Sequence, residues 1–202
     1  TLPNIDKHRV ALWGTSFAGG LVVTVAAQDG KVAATVSQCP MLDGLASALE
    51  IARYAGVFSV LRVSTHGVFD VVRSIVGASA HYIPAAAKEG KVGAMTSADA
   101  FDAYLRLAPQ NSTHQNQVTA RTGLLVPMFR PIRDAAKVKC PALLQICTQD
   151  TVAPAAAAEK AAKKMPKAEV VRYPVGHFDV YFGDAFEHSV SDQLAFLQKH
   201  LL

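Results

Sequence analysis

Cysteine, dense charge and long apolar runs are scarce in this sequence of 202 residues. The three cysteines, at positions 39, 140 and 147, lack the spacing of metal ligands, and an odd number in apolar surroundings indicates reduced thiols in a cytoplasmic protein. Charged residues make up 18% of the chain, without the basic stripe that a nucleic-acid interface needs. No run reaches the roughly 18 apolar residues of a membrane span. We therefore predict a protein that binds neither nucleic acid nor membrane.

Short apolar strands and helical patterns alternate near both ends of the chain. Half of all residues are hydrophobic, which is enough to build the core of one domain, with or without an insert. Near-continuous apolar strands separated by helices predict an α/β fold, with a parallel sheet covered on both faces. The predicted strands are 9–13, 32–39, 140–148 and 169–173, and the helices are 17–28, 154–165 and 187–200.

The middle of the chain has a different pattern. Residues 43–135 show helical periodicity broken by Gly and Pro, which predicts a helical cap inserted into the α/β core. The core then consists of residues 1–42 and 136–202. Within the insert the predicted helices are 45–54, 67–76, 97–107 and 112–125.

A single serine stands where the first strand meets the first helix, in the segment GTSFAGG. The small residues around Ser16 allow a tight turn that holds its hydroxyl at the carboxyl end of the sheet. This is the G-x-S-x-G nucleophile elbow, with Ala18 in place of the last glycine. The backbone N–H of Phe17, at the start of the helix, is then a candidate donor to an oxyanion. Serine is also a favoured N-cap residue, so the segment alone fits a helix cap equally well.

A reactive serine needs a histidine base and an acid that orients it. Asp150 directly follows the strand CPALLQICT, and His177 follows the next strand, in YPVGHFD. Side chains that follow parallel strands meet at one edge of the sheet. The order Ser16, Asp150, His177 therefore predicts a catalytic triad.

Several other residues compete for these roles. Asp43, in CPMLDG after the second strand, is an alternative acid. Asp179 and Asp184 lie too near His177 to orient it easily, so we expect them to shape its loop or cap the last helix. Cys39 and Cys147 are expected to be core residues, because the sequence near them offers nothing that would lower a thiol pKa.

The segments RVALWGTSFAGG, CPALLQICTQDTVAP and VRYPVGHFDVYFGDAF together resemble the α/β-hydrolase superfamily. They are most similar to bacterial serine hydrolases of the dienelactone-hydrolase and acyl-peptidase-like branch. The resemblance extends from about residue 8 to the end of the chain. It implies hydrolysis of a small-molecule ester or thioester through an acyl-serine, without a cofactor or metal.

One departure from this family lies ahead of the elbow. Members normally carry several more strands there, and the loop that donates the second oxyanion-hole N–H. This sequence has only TLPNIDK before the strand. We therefore expect a fragment or truncated product, whose N-terminal strands are missing and whose open sheet edge is covered by a missing segment or by another copy of the chain.

Two other functions remain open at this point. The same triad can transfer an acyl group to an acceptor other than water, or hydrolyse a carbon–carbon bond. A protein of this fold can also act as a catalytically weak or dead module that binds a ligand. The incomplete oxyanion hole favours the binding module, whereas the complete triad favours the hydrolase.

Overall fold

A computed structural model describes residues 6–109 and 111–202 of the chain. In chain order, its strands are β1 Ala11–Thr15, β2 Ala34–Gln38, β3 Tyr82–Ile83, β4 Val118–Thr119, β5 Ala142–Cys147 and β6 Ala168–Tyr173. Its α-helices are α1 Ser16–Asp29, α2 Gly44–Ala55, α3 Val57–Ile75, α4 Ala100–Leu107, α5 Thr122–Leu125, α6 Ala155–Ala162 and α7 Gly183–Leu201. Short 3-10 helices span Val126–Met128, Pro131–Arg133, Ala135–Lys137 and Asp179–Tyr181.

Four strands form one parallel sheet, in the order β1-β2-β5-β6. Every residue of β2 and β5 is buried, whereas β1 and β6, at the two edges among the described residues, are partly accessible. Strands buried on both faces need apolar side chains throughout, which explains the continuous apolar runs of the sequence. The predicted α/β fold with a parallel sheet is confirmed.

Helices cover both faces of the sheet. On one face, Val23 of α1 and Ala158 of α6 pack with Leu144 of β5. On the other face, Phe196 of α7 packs against Val36 and Leu143. Neighbouring residues of β5 thus point to opposite faces, as the period of a strand requires. The residues that follow the strands can therefore place their side chains at the carboxyl-terminal edge of the sheet.

The chain divides into two compact units. One contains residues 1–43 and 130–202, which include the parallel sheet, and the other contains residues 44–129. The insert predicted over 43–135 encloses this second, helical unit. No helix among the described residues is long and apolar enough to cross a membrane.

A buried ion pair ties the helical unit together. Asp70 of α3 has no exposed surface and accepts hydrogen bonds from the backbone N–H groups of His81 and Arg121, at 2.8 and 3.0 Å. The Arg121 guanidinium adds bonds of 2.6 and 3.0 Å to the two carboxylate oxygens. One side chain thus anchors two loop segments to α3. The unit also holds an apolar cavity of about 180 Å³ between α2, α3 and α5.

Two predicted helices of the insert were wrong in extent. The helix predicted over 67–76 begins at Val57, because Gly56, at φ 79°, separates it from α2. The helix predicted over 112–125 is reduced to the four residues of α5. Within the predicted span, Val118–Thr119 form β4, which pairs antiparallel with β3, so tertiary pairing replaces the local helical preference there.

Candidate active site

The elbow begins with a close approach between β1 and α1. A Cβ atom on Gly14 would lie 2.3 Å from the carbonyl oxygen of Ala18, so the position accepts glycine only. Ser16 begins α1 with φ 54°, a left-handed conformation that L residues rarely adopt. Thr15 takes the N-cap position and makes no side-chain cap bond. Ser16 is therefore not the helix cap.

That hydroxyl meets the imidazole of His177. Ser16 Oγ lies 2.9 Å from His177 Nε2, and His177 Nδ1 lies 2.6 Å from Asp150 Oδ2. An ionised carboxylate only accepts hydrogen bonds, so Nδ1–H donates to Asp150 and Nε2 is left to accept the serine proton. The structure thus brings together the three side chains that the sequence singles out.

The sequence matches no family model. It is 37% identical over 199 residues to the quorum-quenching protein AidA of Acinetobacter baumannii (strain MDR-ZJ06), covering 98% of this chain and 64% of that protein. GrgF of Penicillium sp., named a polyketide transferase, is 24% identical over 204 residues, covering 98% of this chain and 65% of GrgF. The chain therefore spans about two thirds of the length of these relatives.

Solved structures are similar to this chain over nearly its whole length. The crystal structure of the α/β-hydrolase GrgF from Penicillium sp. sh18 covers 98% of this chain and 67% of its own, with a TM-score of 0.68 at 20% identity. The complex of DcsB with its substrate analogue covers 100% of this chain and 68% of its own, with a TM-score of 0.76 at 19% identity. The chain has the α/β-hydrolase fold.

In this hydrolase fold, Asp150 is oriented by the turn after β5. Its Oδ1 atom accepts the backbone N–H groups of Val152 and Ala153, at 2.8 and 2.7 Å. These two bonds fix the plane of the carboxylate, so that Oδ2 faces the imidazole. Asp150 is 9% exposed and His177 is 2% exposed, so water competes little for the bond between them.

His177 sits in the loop after β6. The Gly176 N–H donates to Asp179 Oδ2 at 2.8 Å, which closes the loop around the histidine. The Phe178 ring meets the imidazole edge to face, with 5.1 Å between ring centroids. Asp179 shapes this loop, as expected, whereas Asp184 lies in the first turn of α7 behind its N-cap, Phe182.

Phe17 follows Ser16 in the first turn of α1. The helix dipole favours negative charge near the first N–H groups of a helix. The adjoining backbone is fixed, because the Met41 N–H donates to the Ser16 carbonyl at 2.9 Å. The role of the Phe17 N–H as an oxyanion donor stays a prediction.

The alternative acid, Asp43, has a different principal partner. Its two carboxylate oxygens accept the Nε and Nη2 groups of Arg130, at 2.9 and 2.8 Å. This bidentate bond raises the pKa of Arg130 and holds the two segments that flank the helical unit. In the structure it is Asp150 that bonds to the imidazole of His177.

Cys39 and Cys147 are buried, but their surroundings are more polar than the sequence indicates. Burial opposes ionisation of Cys39, yet a hydrogen bond with Cys147, the charge of nearby His177 and hydrogen bonds with Thr15 and Tyr181 lower its pKa to about 6. The hydrogen bond to Cys39, together with burial, raises the pKa of Cys147 far above its usual range. The expectation that nothing near these thiols would lower a pKa was therefore wrong for Cys39.

The sequence analysis missed Thr15 and Tyr181, whose hydroxyls are hydrogen bonded to each other beside the bonds that join Ser16, His177 and Asp150. They lie 166 positions apart, so no local pattern links them. Elsewhere in the described part of the chain, no group of three or more His, Cys, Asp or Glu residues is arranged to hold a metal ion.

Proposed function

We propose that this chain carries the active site of a serine hydrolase that cleaves carboxylic esters or thioesters of small molecules through an acyl-serine. The observation that carries the proposal is the continuous bonding from Ser16 to His177 to Asp150, at 2.9 and 2.6 Å. The same constellation serves acyl transfer on several unrelated folds. The left-handed backbone at Ser16 supports it further, because strain of this kind clusters at active sites.

In the proposed reaction, Ser16 Oγ attacks the acyl carbon while its proton passes to His177 Nε2. The buried carboxylate of Asp150 stabilises the imidazolium that forms and holds Nδ1–H in place. The Phe17 N–H, at the positive end of α1, stabilises the oxyanion. His177 then gives its proton to the leaving oxygen or sulfur. Deacylation repeats these steps with water as the nucleophile, and His177 acts again as the base.

The substrate class is proposed from the relatives as well as from the site. AidA is a quorum-quenching protein, so signal molecules with a cleavable acyl bond are the first candidates. The site chemistry requires only an activated acyl carbon. A screen of esters and thioesters that differ in acyl length will narrow the class.

Fluorophosphonate labelling tests the proposal, because the probe phosphonylates a serine only when a base activates it. We expect a single adduct at Ser16 by mass mapping, and no adduct in Ser16→Ala. The matched control is Ser79→Ala, which removes an exposed serine of the helical unit and should label at the wild-type rate. A folded wild-type protein that does not label would overturn the hydrolase and favour the ligand-binding module.

Acyl transfer is the second candidate, because the relative GrgF is named a polyketide transferase. The acyl-serine is common to both reactions, and the acceptor decides the product. Product analysis in water with and without added alcohols or thiols separates them. Exclusive release of the free acid supports the hydrolase, whereas preferential formation of a new ester or thioester supports the transferase.

A further inference from the structure

We propose that Tyr181 is a positioning residue that holds the nucleophile elbow and the histidine loop at their reactive distance. Its hydroxyl lies 2.5 Å from Thr15 Oγ1 and 3.1 Å from Cys39 Sγ. Thr15 Oγ1 lies 3.4 Å from the same sulfur, so the three groups close a triangle. The inference rests on the proposed function, because it assigns Tyr181 a task in that reaction.

Each of these three residues belongs to a segment that is connected to Ser16, His177 or Asp150. Thr15 immediately precedes Ser16, and Tyr181 follows His177 by four residues in the 3-10 helix Asp179–Tyr181. Cys39 directly follows β2, and its backbone N–H donates to Gln145 of β5, the strand that leads to Asp150. The triangle therefore links the segments that carry the nucleophile, the base and the acid.

The surroundings favour a rigid connection. Cys39 is 2% exposed and packs with Val180, which has no exposed surface. Burial raises the pKa of Tyr181 far above its usual range, so the phenol keeps its proton and can donate it. Hydrogen bonds in such a site meet little competition from water. Backbone strain at the adjoining residues, φ 54° at Ser16 and 34° at Cys39, also requires surrounding bonds to hold it.

Loss of this connection should slow the chemistry more than it weakens binding. A shift of about 1 Å between reacting groups can cost about 100-fold in rate. Tyr181→Phe removes only the hydroxyl and keeps the ring. We expect about a tenfold fall in kcat and in the fluorophosphonate labelling rate, with KM unchanged within about twofold.

The matched control is Tyr173→Phe. The Tyr173 hydroxyl is also hydrogen bonded inside the same unit, to Gln145 and Asp192, but these bonds do not reach Thr15. Tyr173→Phe should lower the urea midpoint of unfolding and leave the fluorophosphonate labelling rate within about twofold of wild type. If Tyr181 only stabilised the fold, Tyr181→Phe would likewise lower the urea midpoint and leave the labelling rate unchanged.

Changes at Thr15 provide an independent measurement if Tyr181→Phe does not fold. Thr15→Val should slow labelling about as much as Tyr181→Phe, Thr15→Ser should restore the wild-type rate, and the double variant should be no slower than the slower single one. Labelling of Tyr181→Phe or Thr15→Val at the wild-type rate would overturn this inference alone. Absence of labelling in the wild type would overturn the proposed function with it.

Discussion

Asp150 in the core unit and Asp70 in the helical unit are both buried carboxylates, but their partners differ in kind. Asp70 bonds to the guanidinium of Arg121, which is charged at every physiological pH, and to two backbone N–H groups. Asp150 also accepts two backbone N–H groups, but its side-chain partner is an imidazole that gains and loses a proton.

This difference separates a group that stabilises a fold from one suited to a reaction. The Arg121 guanidinium holds the pKa of Asp70 well below its usual range, so this ion pair stays unchanged under ordinary conditions. The bond between Asp150 and His177 continues to Ser16, along the path that the proton takes in the proposed reaction. Burial of a carboxylate is therefore a poor guide to function until its partner is identified.

The largest expected effect comes from changing Asp150 to asparagine. Asp150→Asn keeps the shape of the side chain but lets the amide favour the wrong tautomer of His177, so kcat should fall by about 10⁴-fold. Steady-state kinetics on a responsive ester would measure this fall, with circular dichroism as the control for folding. Activity within tenfold of the wild type would assign the acid to another residue.

Asp70→Asn should show the reverse pattern, with a large loss of stability and little change in chemistry. The variant leaves the Arg121 guanidinium without its counter-ion, and breaking a buried pair is strongly destabilising. We expect a clear fall in the urea midpoint of unfolding, measured by circular dichroism. The matched control, Glu159→Gln, removes a more exposed pair with Arg172 and should leave the midpoint nearly unchanged. Equal midpoints in both variants would contradict this account.

Acid should remove the stability that Asp70 contributes. Its pKa in the folded protein lies below the ordinary value of 3.8, so the contribution is complete above that value and is lost as pH falls through the folded pKa. The difference in urea midpoint between wild type and Asp70→Asn should therefore be constant near neutrality and shrink below about pH 4. Because both proteins share the other carboxylates, the difference isolates Asp70. A difference in urea midpoint that grows as the pH falls would contradict this prediction.

Asp43→Asn should have the smallest effect on rate. Arg130 takes both carboxylate oxygens of Asp43, and Asp150 bonds to the imidazole. We expect a labelling rate within about threefold of wild type, measured at a temperature where circular dichroism shows the folded state. A loss comparable to that of Asp150→Asn would make Asp43 the functional acid.

The parallel sheet and the meeting of Ser16, Asp150 and His177 could be predicted from the sequence because both follow from one geometric rule. Short apolar runs give parallel strands, and residues that follow parallel strands meet at one edge. Ser16, Asp150 and His177 each follow a predicted strand, and the structure brings their side chains within hydrogen-bond distance. The tight turn at Ser16 could also be read from Gly14, whose position leaves no room for a side chain.

The helical unit and the Tyr181 triangle could not be predicted, because they depend on contacts between distant residues. The segment before α5 takes its conformation from pairing with β3 and from the bond between Asp70 and the Arg121 N–H. Nothing in the sequence near residue 121 indicates that partner, which lies 51 positions away. The same holds for Thr15 and Tyr181, which no spacing rule connects.

Ser16 and His177, the proposed nucleophile and base, lie 161 positions apart in the chain. If the proposed function holds, Ser16 is an ordinary alcohol in a nascent or partly folded polypeptide, because the segment that bears His177 has not yet taken its place. The proposed reactivity of Ser16 would then report that the last third of the chain has joined the sheet, and a probe that captures activated serines would count correctly assembled molecules in a mixed population.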